Sequence, residues 1–402
     1  VEAQIPVIEN YNQVWETQSA NSSESMPLGG GDIGANVWVE KGNLYFYFSR
    51  SGTFDENNQL LKLGRVKVDL TPNPFQDNVG FRQELVVKDG YIKITQNGTQ
   101  IKLWVDVFRP VIHLDLVSKT ALTMKASYET WRHVNRILKG KENNANSYKW
   151  APQPEVVTYK DSVSFEQNGI QFYHRNREQT VFDVAVKQQK MESVKDQMMN
   201  PLKGLTFGGF MQSNQMKPAT TYLSKYQGID CKGYSLISVA PLKKQSLTIS
   251  LHTNQSADLN QWKTALAHQV DAGKYQVKKA EQKSISWWND FWDRSFIFTQ
   301  KEGSTTQDSV YQMGQNYQLF RYMLGCNAYG KYPTKFNGGL FTYDPVFVNS
   351  TLNFTPDFRN WGGGTMTAQN QRLVYFPMLK SGDFDMMKSQ LDYYLSLQKN
   401  AE

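Results

Sequence analysis

Short runs in which apolar and polar residues alternate recur from Val37 to about Leu251. Such alternation places one set of side chains on each face of an extended strand. The runs that show it occupy residues 43–48, 65–70, 81–87, 91–95, 101–107, 112–116, 122–128 and 246–251. Turn signals separate them, and Asn97-Gly98 is a strong hairpin signal. The region is longer than an immunoglobulin-type sandwich, so we predict a larger antiparallel sandwich of two sheets with many strands.

The spacing of apolar residues changes to that of helices after Ser256. Helical patterns occupy residues 258–271, 273–291, 304–328, 365–380 and 384–397. The third pattern has Ser304 as its expected N-cap and one apolar face, formed by Val310, Met313, Tyr317, Phe320 and Leu324. We therefore expect a sandwich domain at 1–256, a helical linker at 257–300 and the first part of a helical domain at 301–402. So few helices cannot enclose a site, and we expect this domain to continue beyond residue 402.

Composition and charge narrow the class of protein. The chain has 402 residues, of which 40% are hydrophobic, and a net charge of +7, which fits about two domains. No run approaches the roughly 18 apolar residues of a membrane-spanning helix. Lys and Arg are dispersed, which argues against nucleic-acid binding but permits an acidic glycan as ligand. Cys231 and Cys326 lie far apart without other ligands at metal-binding spacing, so we expect no disulfide, metal or cofactor.

Two stretches of the helical region are unusually polar and rich in glycine: Asn337-Gly-Gly-Leu-Phe341 and the run from Asp357 to Arg372. Amide, carboxylate and guanidinium groups can bind sugar hydroxyls in pairs, and the flat face of Trp361 can stack on a pyranose. We therefore predict a sugar site. The side chains expected to bind substrate are Asn337, Asp357, Arg359, Trp361, Gln369 and Arg372. The alternative is a polar loop that only connects two helices.

The order of these parts resembles glycoside hydrolases with an N-terminal β-supersandwich, a helical linker and an (α/α)6 barrel. The fucosidase family 95 has a similar arrangement, and bacterial proteins with a sandwich domain of the DUF5703 type are more similar still. Met26-Pro-Leu-Gly-Gly-Gly-Asp-Ile-Gly-Ala-Asn-Val37 resembles the opening loop of these enzymes. Residues 331–341 resemble the loop that follows their first barrel helix. The resemblance implies a glycosidase in which residues 301–402 begin the barrel.

The resemblance also implies a catalytic role for Asn370. This residue falls where family 95 has the second Asn of an Asn-x-Asn motif, which helps to activate the attacking water. The first position of that motif is Ala368 here, so the arrangement is incomplete. The catalytic Glu of the family and its partner Asp would lie beyond residue 402.

These observations predict a glycoside hydrolase that acts on a plant or host glycan held between the sandwich and the helical barrel. We expect loop 26–37 to line that cleft, and we interpret His133 as a surface or packing residue. The first residues look like a mature start, so we expect a secreted or periplasmic protein. An oligosaccharide or polysaccharide is the expected partner, and the sequence does not indicate an oligomeric state. A non-catalytic glycan-binding protein and a polysaccharide lyase acting on an acidic glycan are the alternatives.

Overall fold

The computed structural model describes residues 8–150, 153–299, 307–334, 339–360 and 368–402. The strands are β1 (Gln13–Trp15), β2 (Met26–Gly30), β3 (Ile33–Glu40), β4 (Asn43–Arg50), β5 (Gly64–Thr71), β6 (Arg82–Val86), β7 (Tyr91–Gln96), β8 (Thr99–Val105), β9 (Val111–Thr130), β10 (Arg136–Ile137), β11 (Val157–Thr158), β12 (Ser162–Glu166), β13 (Gly169–Arg175), β14 (Leu205–Gln212), β15 (Met216–Tyr226), β16 (Ile229–Ser238) and β17 (Leu242–Gln255). The α-helices are α1 (Val181–Gln188), α2 (Leu259–Lys274), α3 (Val277–Arg294), α4 (Ser309–Gly325), α5 (Ala368–Ser381), α6 (Lys388–Ser396) and α7 (Gln398–Ala401).

Two antiparallel sheets share the long strand β9. The first sheet has the order β1-β6-β7-β8-β9-β17-β14-β13-β12, and the second has the order β2-β3-β4-β5-β9-β16-β15. Residues 111–118 of β9 pair with β8 and β17, whereas residues 123–130 pair with β5 and β16. The sequence predicts two strands here. The structure has one strand instead, and the sequence pattern is interrupted because residues 117–121 in its middle are mostly exposed.

Apolar side chains from both sheets meet in a common core. The ring of Tyr128 in the second sheet stacks on that of Phe172 in the first, with centroids 4.2 Å apart. Phe48 packs edge-on against Phe172 at 5.9 Å, and all three side chains are buried. The predicted antiparallel β-sandwich is therefore confirmed, as is its combination with helices.

Two helices pack on the sandwich after its last strand, where the sequence patterns predict them. The side chain of Asp258 caps α2 by accepting a hydrogen bond from the Gln261 amide at 2.9 Å. Helix α2 buries Trp262. Helix α3 buries Trp292, whose indole donates to the Val87 carbonyl at 2.8 Å. These contacts fix the helices against the strands that precede them.

Helix α4 buries a face that overlaps only in part with the predicted one. It begins at Ser309, and the Asp308 side chain accepts from the Val310 amide at 2.8 Å. The predicted cap, Ser304, lies outside the described residues. Met313 and Phe320 of the predicted apolar face are 58% and 46% exposed. Leu324 of the same face is buried, so the predicted apolar face is only partly covered within the described chain.

Polar side chains with hydrogen-bond partners make up much of the buried face of α4. Arg321 donates to the Phe291 carbonyl at 2.8 Å and to the Asp383 carboxylate at 2.7 Å. Gln318 donates to the Ile297 carbonyl at 2.7 Å. These hydrogen bonds compensate for the loss of water around the two polar side chains. A search for apolar residues at helical spacing therefore does not find this buried face. Within the described ranges, no helix is long and apolar enough to cross a membrane. The (α/α)6 barrel stays a prediction.

Candidate functional site

An open cleft of about 500 Å³ lies where the sandwich meets the chain that follows α4. Three segments line it: residues 131–142 after β9, residues 228–230 at the turn between β15 and β16, and residues 353–355. We call this feature the junction cleft. Both predicted parts of the chain contribute to it, so it is the kind of concave site in which ligands often bind.

The junction cleft combines apolar faces with hydrogen-bonding groups. Val134 and Ile137 are exposed on one wall, and Trp131 and Phe354 lie deeper. The polar side chains that line the cleft are His133, Arg136, Lys139, Glu142, Asp230 and Asn353. Sugars present a C–H face and several hydroxyl groups, so both kinds of surface are needed to bind them.

A tight turn brings the β15–β16 hairpin to the junction cleft. Gln227 and Gly228 have φ angles of 50° and 81°, which is the left-handed pair of a two-residue hairpin turn. A Cβ on Gly228 would lie 3.4 Å from Oδ1 of Asn353. The glycine therefore allows the turn to approach the segment at 353–355 closely.

Each carboxylate that lines the junction cleft is bound to a cation. Both terminal nitrogens of Arg136 donate to Glu142, at 2.8 and 2.7 Å. Lys225 lies 3.2 Å from Asp230. The described lining therefore holds no unpaired acid to protonate a glycosidic oxygen. In the same described ranges, no group of three His, Cys, Asp or Glu residues is arranged to hold a metal ion.

Asp357, one of the predicted substrate-binding residues, joins the sandwich to the later part of the chain. Its side chain is 2% exposed. Oδ2 accepts from the Trp131 indole at 2.6 Å and from Arg132 at 2.7 Å, and Oδ1 accepts from the Lys62 amide at 2.8 Å. These donors all belong to the sandwich. Substrate binding by Asp357 stays a prediction, but its observed role is to fix the wall of the junction cleft.

A chain of buried ion pairs continues behind this wall. Arg132 lies 3.0 Å from Asp161, Asp161 lies 3.2 Å from Nδ1 of His174, and Nε2 of His174 lies 3.1 Å from Glu56. Burial opposes a charge on His174, yet Glu56 and Asp161 raise its pKa to about 10. The imidazole is therefore charged at neutral pH, and it forms ion pairs with both carboxylates.

Arg359, a second predicted substrate-binding residue, is 5% exposed. It donates to the Gly339 carbonyl at 2.7 Å and to the Thr342 hydroxyl at 3.1 Å. The same hydroxyl accepts from Nζ of Lys62 at 2.9 Å. Burial, and then the positive charge of Arg359, lower the pKa of Lys62 to about 7. Sequence analysis missed this lysine because it lies in an irregular stretch between strands.

The remaining predicted residues are only partly described. Asn337 and Trp361 lie outside the described residues, as does the side chain of Gln369, whose backbone belongs to α5. On the same helix Asn370 is half-buried and Arg372 is exposed. Substrate binding by the predicted residues among these stays a prediction, as does the water-activating role of Asn370.

Loop 26–37 forms the hairpin of β2 and β3 and contacts the chain after α4, but none of its residues lines the junction cleft, contrary to expectation. The amide of Tyr329 donates to the Gly31 carbonyl at 2.9 Å. A small pocket of about 180 Å³ beside this turn includes the ion pairs Asp32–Arg50 and Asp106–Arg109. It shares no lining residue with the junction cleft.

Sequence analysis missed most of the junction cleft. His133 was interpreted as a surface or packing residue, but it lies in the cleft wall together with Trp131. The mixed run Glu129-Thr-Trp-Arg-His133 and the turn at Gln227-Gly228 were the available signals. Nothing in the sequence indicated that Asn353 lies opposite them, because that contact depends on how the sandwich and the later chain pack.

The fold and the cleft define a β-sandwich protein that is extended by helices and has an open groove at the junction. Residues 14–297 match the family described as "Domain of unknown function (DUF5703)", at its N-terminal part. Because this match covers more than half of the chain, the protein belongs to the DUF5703 family. The resemblance to DUF5703 proteins is thereby confirmed, and the likeness to fucosidase family 95 stays a prediction.

One similar solved structure is described as "Putative kojibiose phosphorylase from human microbiome". The sequence identity is 12%, the TM-score is 0.42, and the alignment covers 84% of this chain and 46% of that chain. This chain thus spans less than half the length of that protein. At this level of similarity no activity is carried over. No curated protein matches the chain.

Proposed function

We propose that this protein is a secreted or periplasmic glycoside hydrolase that holds a plant or host glycan in the junction cleft. The observation that carries the proposal is the cleft itself, since its lining combines aromatic and aliphatic side chains with amide, imidazole and cationic groups. Its volume of about 500 Å³ is within the range of sites that bind small ligands. The order of the sequence motifs gives additional support.

We also propose that further helices complete an (α/α)6 barrel and supply the catalytic acid. Large apolar side chains are exposed on three successive helices: Met313 and Phe320 on α4, Leu373 and Phe376 on α5, and Leu391 and Leu395 on α6. Apolar surface of this extent marks a face that packs against another element. In such a barrel Asn370 would orient water, and Trp361 would stack on the sugar.

Comparison of the 402-residue chain with a longer protein that includes the downstream helices tests this proposal. Both are incubated with aryl glycosides and plant polysaccharides, and released sugar is quantified by chromatography. We expect both to bind the same glycan and only the longer protein to release sugar. Asn353→Ala should lower kcat/KM of the longer protein about tenfold, through loss of a glycan contact. If neither Asn353→Ala nor His133→Ala changes the rate of hydrolysis, the substrate binds outside the junction cleft.

A non-catalytic glycan-binding protein is the second candidate. It is favoured by one observation, that both carboxylates in the described lining of the cleft are bound to cations. If the longer protein binds a glycan in the junction cleft but leaves every glycosidic bond intact, this second function replaces hydrolysis.

A further inference from the structure

Two buried cations converge on one hydroxyl group at the boundary between the sandwich and the later chain. Lys62, from the irregular stretch before β5, is 0% exposed, and Arg359 is 5% exposed. Both donate to Oγ1 of Thr342, at 2.9 and 3.1 Å. Since the two donors use the lone pairs of this oxygen, the hydrogen of the Thr342 hydroxyl points elsewhere and remains available as a donor.

Neither cation has a counter-ion within the described chain. No carboxylate of the described residues lies within 4.0 Å of Lys62 or Arg359, and Nε of Arg359 is buried without a hydrogen-bond partner. The two nearest acids are already engaged. Asp357 accepts from Trp131 and Arg132, and Asp344 accepts from the Tyr47 hydroxyl at 3.0 Å and from Ser22.

This arrangement differs from that of the other deeply buried arginines. Arg65 is paired with Glu129 at 2.7 Å, Arg132 with Asp161, and Arg321 with Asp383 at 2.7 Å. Removing a charge from water without a partner is costly, so buried cations are normally paired. Two unpaired cations that share a hydroxyl therefore indicate a place where an anion supplies the missing charge.

We propose that Lys62, Arg359 and Thr342 form an oxyanion site, in which the ammonium, the free Nε–H and the hydroxyl donate to the oxygen atoms of one bound anion. The chemistry fits a carboxylate or a phosphate, which accept several charge-assisted hydrogen bonds at once. The carboxylate of a uronic acid in a glycan is one source, and inorganic phosphate is the other. The first source rests on the proposed glycan function, whereas the second does not. Thr342 is the most exposed of the three residues, since it is half-buried.

The test measures binding of sodium phosphate and, separately, sodium glucuronate to the 402-residue chain by calorimetry, at constant ionic strength in a buffer without oxyanions. We expect saturable binding of at least one anion, weakened tenfold or more by Lys62→Met. Lys67→Met is the matched control, because Lys67 already has Asp69 as partner at 2.8 Å, and it should bind as the wild type does. Thr342→Val, which keeps the side-chain shape, should weaken binding as well and serves if Lys62→Met does not fold.

Binding of glucuronate, whose own charge is constant in this range, should also weaken between pH 6 and pH 9, as Lys62 loses its proton. The charged groups that face it are Arg359, Asp357 and Asp344, and loss of this pH dependence in Lys62→Met identifies the lysine as its source. Phosphate binding alone assigns an inorganic ion, and glucuronate binding alone assigns an acidic sugar. Equal binding by wild type and Lys62→Met, or no saturable binding of either anion, overturns the proposal. Binding of a neutral oligosaccharide to the Lys62→Met variant is measured as well. If it is retained while anion binding fails, the oxyanion site is wrong but glycan binding in the junction cleft is not affected.

Discussion

The clearest departure from ordinary protein chemistry at the scale of single residues is the buried side-chain amine of Lys62, which has no carboxylate partner among the described residues. In the unfolded chain a lysine keeps its proton up to a pH of about 10.5, whereas the pKa of Lys62 in the folded protein is about 7. Between these values the unfolded state binds more protons, so this residue makes the folded state more stable as the pH rises. Below pH 7 Lys62 is charged in the folded protein, and the full cost of burying that charge lowers the stability of the folded state.

Substitution Lys62→Met should therefore increase the free energy of unfolding, because methionine fills similar space without a charge. We expect a gain of at least about 1 kcal/mol at pH 6 in an oxyanion-free buffer and a smaller gain at pH 10. Urea unfolding of both proteins at the two pH values measures the difference. A gain that is the same at both values, or a loss at pH 6, would contradict the protonated state assigned to this lysine.

Arg132 is the residue whose removal should destabilise the protein most directly through charge. It forms ion pairs with Asp161 and Asp357, and all three side chains are buried. Arg132→Met leaves both carboxylates without this partner, and such losses cost about 3–5 kcal/mol. Arg82→Met is the control, since Arg82 is largely exposed beside Glu84 and pairs of that kind contribute about 1 kcal/mol or less. Similar unfolding midpoints in urea for the two variants would refute the central position of Arg132.

Helix α5 shows at the scale of elements how two faces of one helix differ. Met378 is 0% exposed and belongs to the main core, whereas Phe376 is 56% exposed. Met378→Gln should cost several kcal/mol because it buries an amide in the core. Phe376→Gln should change the stability of the 402-residue chain by no more than about 0.5 kcal/mol. Thermal unfolding of both variants provides the comparison.

The same pair tests whether more helices cover α5. In a longer protein with a complete barrel, Phe376→Gln should become destabilising, since the aromatic ring would then be buried. If the substitution stays neutral in the longer protein, that face of α5 is not covered and the proposed barrel is wrong there.

The elements that sequence analysis predicts best are those set by local patterns. Asn97 and Gly98 adopt positive φ angles of 48° and 72° in the predicted hairpin between β7 and β8, because this pair tolerates the left-handed conformation. The strand patterns fail where the environment changes along an element, as in the middle of β9. The apolar pattern of α4 does not mark its whole buried face, because Arg321 and Gln318 donate hydrogen bonds that allow these polar residues to be buried.

The sandwich followed by helices could be predicted for the molecule as a whole, and the family match agrees with it. A cleft between the sandwich and the later chain was also predicted, but its lining residues were not, because the three segments that form it come together only when the sandwich packs against the later chain. Of the predicted site residues, Asp357 and Arg359 lie at that boundary in buried networks. The sequence shows that both residues are polar. It does not show their hydrogen-bond partners, because Arg132 is 225 positions from Asp357 and Thr342 is 17 positions from Arg359, and these contacts depend on the tertiary structure.

Affinity for a glycan tests the central claim, that the junction cleft binds carbohydrate. A panel of neutral and acidic plant oligosaccharides is titrated into the 402-residue chain by calorimetry, and the best ligand is repeated with two variants. The double variant with His133→Ala and Asn353→Ala removes polar groups on opposite walls, while Asn260→Ala changes an exposed residue of α2 outside the cleft. We predict that the double variant raises Kd at least tenfold, or about 1.4 kcal/mol, and that Asn260→Ala leaves it unchanged. An unchanged Kd in the double variant, or no binding of any oligosaccharide by the wild type, would contradict the account.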